Sequence, residues 1–288
     1  MLRTLLKSLC EQICADFDVQ VIIIDNDPAA SAKSVVEEFE GCIDIAYHME
    51  RRAGIAEARN TALRVSSADL VAFIDDDEVA PPSWISTLRK AVLDYDADVV
   101  LGPVHPLFSE NTPAWVVRHP LFNQPSPPTG TRIHRGGTGN AMLRRTGFGI
   151  DFPLFNVAYG LTGGEDTDFF YRAYADGKKL IHCREALVYE TVLPERTKIG
   201  WMTRRAFRTG RGFSEILVAR WSTPRRLSWY ALKLVQVTAA LPLLPILRAV
   251  SYERYAVLLT RIYAATGQLS VPLGYPAPTA EYAHLHEI

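Results

Sequence analysis

Cysteine is scarce in this 288-residue chain, which has only Cys10, Cys14, Cys42 and Cys183. No two of them form a C-x-x-C pair and the spacing is not dense, which argues against a zinc site or a disulfide framework and for buried free thiols in a reducing cytoplasm. Neither sign of charge is in excess. With a net charge of −1 the basic field that nucleic-acid binding needs is missing, so no nucleic-acid partner is expected. The N-terminus has no unbroken apolar core of the signal-peptide kind, because Lys7 interrupts it. Internal repeats are also lacking. The 48% hydrophobic and 22% charged residues suffice for a proper core, and the length suggests one large domain or one domain with an appendage.

The most informative stretch is 70–78, Leu-Val-Ala-Phe-Ile-Asp-Asp-Asp-Glu. An apolar run of this kind suits a strand buried on both faces. In open sheets with helices on both faces, ligands bind beyond the carboxyl ends of the strands, which is where Asp75, Asp76 and Asp77 fall. Adjacent carboxylates repel one another, and a cation among them relieves the repulsion. Asp75 and Asp77 therefore read as a metal and nucleotide clamp, with a solvated acidic loop as the plain alternative.

Around this stretch the pattern alternates. An amphipathic helix is expected over 2–17, a strand over 19–24 ending in Asp25-Asn26-Asp27-Pro28, and a helix over 29–39 capped by Asp27. A strand at 43–47 and a helix at 55–65 carrying Arg59 and Asn60 follow, then a helix to about Asp94 and a strand at 98–104. Residues 106–135 are rich in proline and aromatics without a period, as in lids and binding loops. The turn Gly136-Gly137-Thr138-Gly139-Asn140 is a weak signal of close backbone approach to a ligand, an ordinary bend being the alternative. Gly163-Gly164-Glu165-Asp166-Thr167-Asp168 opens a helix over 169–175, and short strands at 179–182 and 186–189 end the sheet. Acids in a first turn suit the helix dipole, but the two preceding glycines let them be brought against something.

From Trp201 the chain turns basic and aromatic, with Arg204, Arg205 and Arg208 able to face a diphosphate. Residues 227–247 are apolar, bracketed by Arg225, Arg226 and Arg248 and interrupted by Lys233, Pro242 and Pro245. They read as an interfacial or re-entrant membrane contact, with packing against the rest of the chain and a true span as alternatives. Residues 270–288 look like a tail.

The ordered set Asp25-Asn26-Asp27, Gly54-Ile55-Ala56-Glu57-Ala58-Arg59-Asn60, Phe73-Ile74-Asp75-Asp76-Asp77-Glu78 and Gly163-Gly164-Glu165-Asp166-Thr167-Asp168 resembles the inverting family 2 glycosyltransferases of the GT-A fold. Within them it is most similar to the glucosyltransferases that build succinoglycan-type exopolysaccharide. The resemblance covers residues 1–215 and implies an α/β, Rossmann-like, mostly parallel sheet flanked by helices; residues 216–288, outside it, are expected to form a helical extension whose membrane association rests on the apolar run 227–247. It also implies a UDP-sugar donor, Mg²⁺ or Mn²⁺, and a lipid-linked oligosaccharide acceptor at the inner face of the cytoplasmic membrane.

Carried over by position, Asp25 resembles the acid that holds uracil or ribose, Arg59 a basic residue near the nucleotide, and Asp166 the general base. Asp75 points to the ribose and Asp77 to the metal. Asp27, Asn60 and Asp76 join the nucleotide side through the same motifs, and Arg204, Arg205 and Arg208 the leaving diphosphate. Two departures stand out. The family's opening strand is absent, since the sequence starts at the helix that follows it, and Tyr189 stands where relatives place a metal-binding histidine. Two other readings remain open: a D-x-D-x-[TV] phosphotransferase with Asp75 as nucleophile, and a nucleotide-sugar-binding scaffold subunit with impaired catalysis.

Overall fold

The computed structural model describes residues 1–148 and 154–275. Among the described residues the chain forms two compact units: Met1–Pro106 with Ser126–Thr191, and Leu107–Pro125 with residues 192–275. The boundary expected after residue 215 falls inside the second unit.

The first unit opens with α1 (Leu2–Cys10), shorter than the expected 2–17. The Gln12 side chain donates to the Pro81 carbonyl (2.8 Å) and accepts from the Ile85 amide (3.1 Å), and the Ile13 amide reaches the Pro82 carbonyl (2.8 Å). These partners draw the chain off the helix axis. β1 (Gln20–Asp25) follows, and then α2 (Lys33–Glu37) in place of a helix over 29–39. Asp27 accepts from the Ala29 amide (2.9 Å), and Ala30 has φ 56°, a left-handed turn residue that an α-helix excludes.

β2 (Asp44–Met49) pairs parallel with β1 in a sheet of two strands. Beyond α3 (Ile55–Val65) come β3 (Leu70–Ile74), β4 (Glu78–Val79) and α4 (Trp84–Asp94). The strand expected over 98–104 is split into β5 (Val99–Leu101) and β6 (Val104–Leu107). At the break, a Cβ on Gly102 would stand 2.0 Å from the Ala186 carbonyl oxygen. After α5 (Ala114–Val117), which belongs to the second unit, come β7 (Asn140–Arg144), α6 (Glu165–Ala175), β8 (Leu180–His182) and β9 (Val188–Thr191).

The strands β3-β7-β5-β8 form one sheet and β4-β9-β6 another. β5 and β8 are parallel, whereas β7, which the sequence reading did not contain, runs antiparallel to both β3 and β5. Helices cover both faces of the larger sheet. Val100, Met142 and Ile181 pack in one cluster with Trp84, Leu88 and Val92 of α4. Their alternating neighbours Val99, Leu101, Ala141 and Leu143 pack in a second cluster with Leu63 of α3 and Phe169 and Phe170 of α6. β3 lends Ala72 and Ile74 to the first cluster and Phe73 to the second, so its exit toward Asp75 is held from both sides.

The cysteine reading needs correction. Cys10 and Cys42 are paired as a disulfide with Cα atoms 6.0 Å apart, while Cys14 and Cys183 are free. Their 32-residue separation carried no local signal, because the pairing follows from where the end of α1 meets the turn ahead of β2.

The second unit consists of α5, α7 (Ile199–Ile216), α8 (Thr223–Ala240), α9 (Leu243–Val250) and α10 (Tyr252–Ser270). Part of the expected lid is anchored here: Trp115 stacks edge-on with Tyr252 at 5.0 Å, Arg118 pairs with Glu253 at 2.6 Å, and His119 lies 3.2 Å from the Thr260 hydroxyl. Residues 276–288, most of the expected tail, lie outside the described residues.

α7 and α10 meet backbone to backbone. A Cβ on Gly210 would lie 2.0 Å from the Ala264 carbonyl oxygen, and one on Gly267 would lie 2.1 Å from that of Phe207. Gly210→Ala and Gly267→Ala each force the helices apart and cost at least about 1–3 kcal/mol, read as a drop of several degrees in the thermal midpoint. Gly212→Ala on the same helix meets nothing within 4 Å and is neutral or stabilising, since alanine is the better helix former. Equal midpoints for all three variants would show that the close approach contributes nothing.

α8 and α9 contain no buried residue. Leu227, Leu234, Val235, Ile246 and Val250 are all exposed. Among the described residues no single helix is long and apolar enough to cross a membrane, but α8 and α9 together pass that test of length and composition, bent by 52° at their junction.

Candidate active site

β3 delivers Asp75 at its carboxyl end, and the chain turns at once. The Asp75 amide donates to the Glu78 carboxylate (3.0 Å) and the Glu78 amide to the Asp75 carbonyl (3.1 Å). Glu78 is thereby tucked beneath the turn, 3% exposed, while Asp75 and Asp76 reach solvent and Asp77 is half-buried. Burial, then the like charges of Asp75, Asp77 and Glu190, push Glu78 up to about 10, so it is a neutral acid at physiological pH. Asp76 is raised by burial and then by Asp77 and Asp75. Asp75 is raised by burial, with Arg59 opposing and Asp77 and Asp166 adding to the rise.

The second acidic group stands at the start of α6. Gly163 and Gly164 have φ of 81° and 105°, a conformation that side chains resist, and they swing the helix start into place. Glu165, Asp166 and Asp168 fill the first turn, favoured there by the helix dipole. Their roles separate sharply. Asp168 is buried and accepts from Arg172 (2.8 Å). Asp166 is half-buried, with Oδ1 accepting from the Thr167 amide (2.6 Å). Glu165 is buried, pairs with Arg59, and keeps its other oxygen, Oε2, without a hydrogen-bond partner. Burial, opposed by Arg59, raises Glu165 to about 7.

The glycine turn lies between the two acidic groups. A Cβ on Gly139 would stand 2.8 Å from Glu78 Oε1 and 3.2 Å from Asp75 Oδ2, and one on Gly137 3.3 Å from Asp166 Oδ2. A larger residue at either position would crowd the carboxylates. Arg59 spans the same gap from α3, donating to Glu165 through Nη1 and to Asp75 through Nη2 (3.5 Å), with its guanidinium 5.9 Å from the Phe155 ring centroid. Asn60 donates to the Phe155 carbonyl (2.8 Å) and accepts from the Phe155 amide (3.0 Å), so its amide fixes the segment on which Arg59 rests.

At the end of β1, Asp25 is buried and accepts from the Tyr47 hydroxyl (2.8 Å) and the amides of Asp27 (3.0 Å) and Ala32 (3.1 Å). Burial and then Asp25 push Tyr47 up to about 12. Asn26 fastens the neighbouring loop, donating to the Glu50 and Arg52 carbonyls (2.7 and 2.8 Å) and accepting from the Gly54 amide (2.9 Å). Tyr189 stands opposite Val79 and meets the His105 ring edge-on at 6.3 Å. Arg204, Arg205 and Arg208 lie on α7 in the second unit, the first two exposed and Arg205 5.3 Å from the Trp201 ring centroid.

The profile described as Glycosyl transferase family 2 matches residues 1–157, more than half of the chain. The chain belongs to glycosyltransferase family 2. It is 34% identical over 205 residues to the Succinoglycan biosynthesis protein ExoM of Rhizobium meliloti (strain 1021), covering 70% of this chain and 66% of that protein. It is 26% identical over 209 residues to the Glucosyl-dolichyl phosphate glucuronosyltransferase of Haloferax volcanii, covering 66% and 64%. The chain thus spans just under two thirds of the length of these curated relatives. The crystal structure of S. aureus TarS 1-349 in complex with UDP matches with a TM-score of 0.52 at 16% identity, over 96% of this chain and 89% of that one. At that identity the likeness speaks for the fold alone, the GT-A arrangement with its helical C-terminal region.

A divalent cation suits the donor set of this family 2 site. Carboxylate oxygens are the ligands that Mg²⁺ and Mn²⁺ prefer, and the crowding of the Asp75, Asp76 and Asp77 carboxylates is what a cation relieves. Among the described residues no group of three or more His, Cys, Asp or Glu side chains is placed to hold a metal. Mg²⁺ commonly needs no such cage, being held by one or two carboxylates, waters and substrate phosphates.

Sequence reasoning passed over two groups. Glu78 and Glu165 lay inside the quoted motifs, yet the sequence does not show that both are buried or that Glu165 reaches Arg59.

Proposed function

We propose that this chain transfers a sugar, glucose in the first instance, from a UDP-sugar to a lipid-linked saccharide in exopolysaccharide assembly, with inversion at the anomeric carbon. The observation that carries the reading is the convergence of Asp75 and Glu78 with Asp166 on the two sides of the Gly137–Gly139 turn, with Arg59 joining Asp75 to Glu165, the neighbour of Asp166. An inverting transfer needs this division: a leaving-group side, a base side and room between them for the sugar. The UDP in the TarS crystal structure and the succinoglycan role in the name of ExoM support the donor and product classes.

In the reaction, an acceptor oxygen bonds to the anomeric carbon as the bond to the diphosphate breaks. The electron pair leaves with UDP, and the acceptor's proton passes to Asp166. Asp25, Asp27, Asn60, Asp75 and Asp76 serve the nucleotide side, directly or by fixing the loops around it. Asp77 is the residue to hold Mg²⁺ or Mn²⁺, which when bound neutralises charge on the diphosphate.

A membrane surface completes the reading. Residues 223–250 contain no acid and carry Arg225, Arg226, Lys233 and Arg248 among exposed aliphatic side chains. Arg225 lies 4.1 Å from the Trp221 ring centroid and Lys233 4.3 Å from that of Trp229. A basic, apolar and tryptophan-bearing helix pair suits an anionic interface at the inner face of the cytoplasmic membrane.

The test supplies UDP-glucose, Mn²⁺ and vesicles of phosphatidylglycerol carrying a polyprenyl-linked saccharide, with a phosphomonoester in parallel. UDP release with a labelled lipid product is expected. Phosphate release with UDP-glucose left intact would replace the reading with a phosphotransferase. In the same preparation, Arg225→Gln with Arg226→Gln weakens vesicle binding roughly 30-fold, two cations at ~1 kcal/mol each. Undiminished flotation would reduce the basic bracket to a solvated face.

A further inference from the structure

We propose that Glu165 is a positioning residue for the donor: it holds the Arg59 guanidinium in register with Asp75, so that an acid on the base-bearing motif sets the strength of nucleotide binding. The proposal rests on the reading of Asp75 as a donor-binding acid.

The geometry of the three side chains is asymmetric. Arg59 and Glu165 are both buried, their side chains 10% and 5% exposed, and the contact between them is close. Arg59 and Asp75 are 3.5 Å apart and Asp75 is half exposed. The guanidinium is therefore fixed by Glu165 and offered to Asp75. Two further contacts fix it independently of Asp75: the Phe155 ring alongside it, and Asn60, which holds the Phe155 backbone. Glu165 is itself held by the left-handed Gly164 that starts α6.

Asp75 depends on this arrangement. It leaves β3 with its carboxylate 3.5 Å from the Arg59 guanidinium. A mobile guanidinium would neutralise Asp75 only part of the time. A planar fork locked at its far end keeps one N–H directed at the carboxylate.

Stability alone gives little reason for Glu165. A buried ion pair is often no better than well-packed apolar groups of similar volume, and here one carboxylate oxygen is buried without a partner. The gain from such a residue lies in the position it imposes.

The experiment is a set of double-mutant cycles read by calorimetry with UDP and Mn²⁺, with the thermal midpoint of each variant recorded alongside. Glu165→Gln keeps the shape and removes the charge, and UDP affinity falls about tenfold, the scale of one charge-assisted hydrogen bond. In an Arg59→Lys or Asp75→Asn background the same change costs no more than about twofold, because the path through Arg59 is already broken. Should Glu165→Gln fold poorly, Glu165→Asp keeps the charge and shortens its reach by one methylene, with a loss of the same sign expected. Losses that simply add across the cycles, or full UDP affinity in Glu165→Gln or Glu165→Asp while Arg59→Lys weakens binding, would overturn the positioning role and leave the donor site standing. Unchanged UDP affinity in both Arg59→Lys and Asp75→Asn would overturn the donor-site reading itself, and the proposal with it.

Discussion

Asp166→Asn retains UDP-glucose affinity within about twofold and loses roughly a hundredfold or more in turnover, the scale that a general base commonly supplies. The expectation follows from which oxygen has a task. Oδ1 accepts from the Thr167 amide at 2.6 Å, a bond that an asparagine carbonyl reproduces, so the side chain keeps its pose. Oδ2 stands over Gly137, where the missing Cβ leaves space, and in the variant this position becomes an amide that cannot take a proton. On the proposed division of roles that oxygen lies on the base side, so the loss is expected in the chemical step.

The other acids of the motif give contrasting results in the same assay. Asp168→Asn removes the charge paired with Arg172 inside the fold and is read in stability, whereas Glu165→Gln is read in donor affinity. Single-turnover transfer at saturating UDP-glucose separates the three. Transfer at the unmodified rate by Asp166→Asn, with Glu165→Gln or Asp168→Asn inactive, would move the base to another residue. Full activity in all three would make the motif structural.

Legibility in the sequence followed the range of the interactions involved. The run 70–74 and the helix starts at Ile55 and Glu165 were readable because strand burial, glycine turns and first-turn acids are local effects. β7 was not, since four of its five positions are buried and an all-buried strand this short has no alternation to detect. The early end of α1 depends on Gln12 finding partners at Pro81 and Ile85, some seventy residues away, and the Cys10–Cys42 pairing depends likewise on tertiary placement.

At the site, the same limit separates motif from role. The residue types of the carboxylate groups were plain, and their division of labour was not. Whether Glu165 supports a helix start or grips Arg59 is decided by a contact across 106 residues. Whether Asn60 faces a nucleotide or ties down Phe155 is decided across 95. Neighbouring residues in the chain carry no trace of either.

Asp77→Ala removes the Mn²⁺-dependent part of UDP binding, with affinity in Mn²⁺ falling to its value in EDTA. The expected loss is on the order of a hundredfold or more, since weakening an outer-shell partner alone already costs ~10–100-fold in metal affinity. Glu78 is buried and neutral, which makes it a poor ligand as it stands. Asp75 is engaged with Arg59. Asp77 is half-buried, and its charge acts on both Asp75 and Asp76, so a cation beside it relieves the group. Tyr189 offers no substitute, because hard divalent ions prefer carboxylate, carbonyl and water oxygens. Calorimetry with UDP in Mn²⁺ and in EDTA makes the comparison, and Asp76→Ala, on the nucleotide side, is expected to weaken binding in Mn²⁺ and in EDTA alike. If Asp77→Ala binds UDP as the unmodified chain does in Mn²⁺ while Asp76→Ala loses only the Mn²⁺-dependent part, the cation belongs one residue earlier and the carboxylate facing the diphosphate is Asp76.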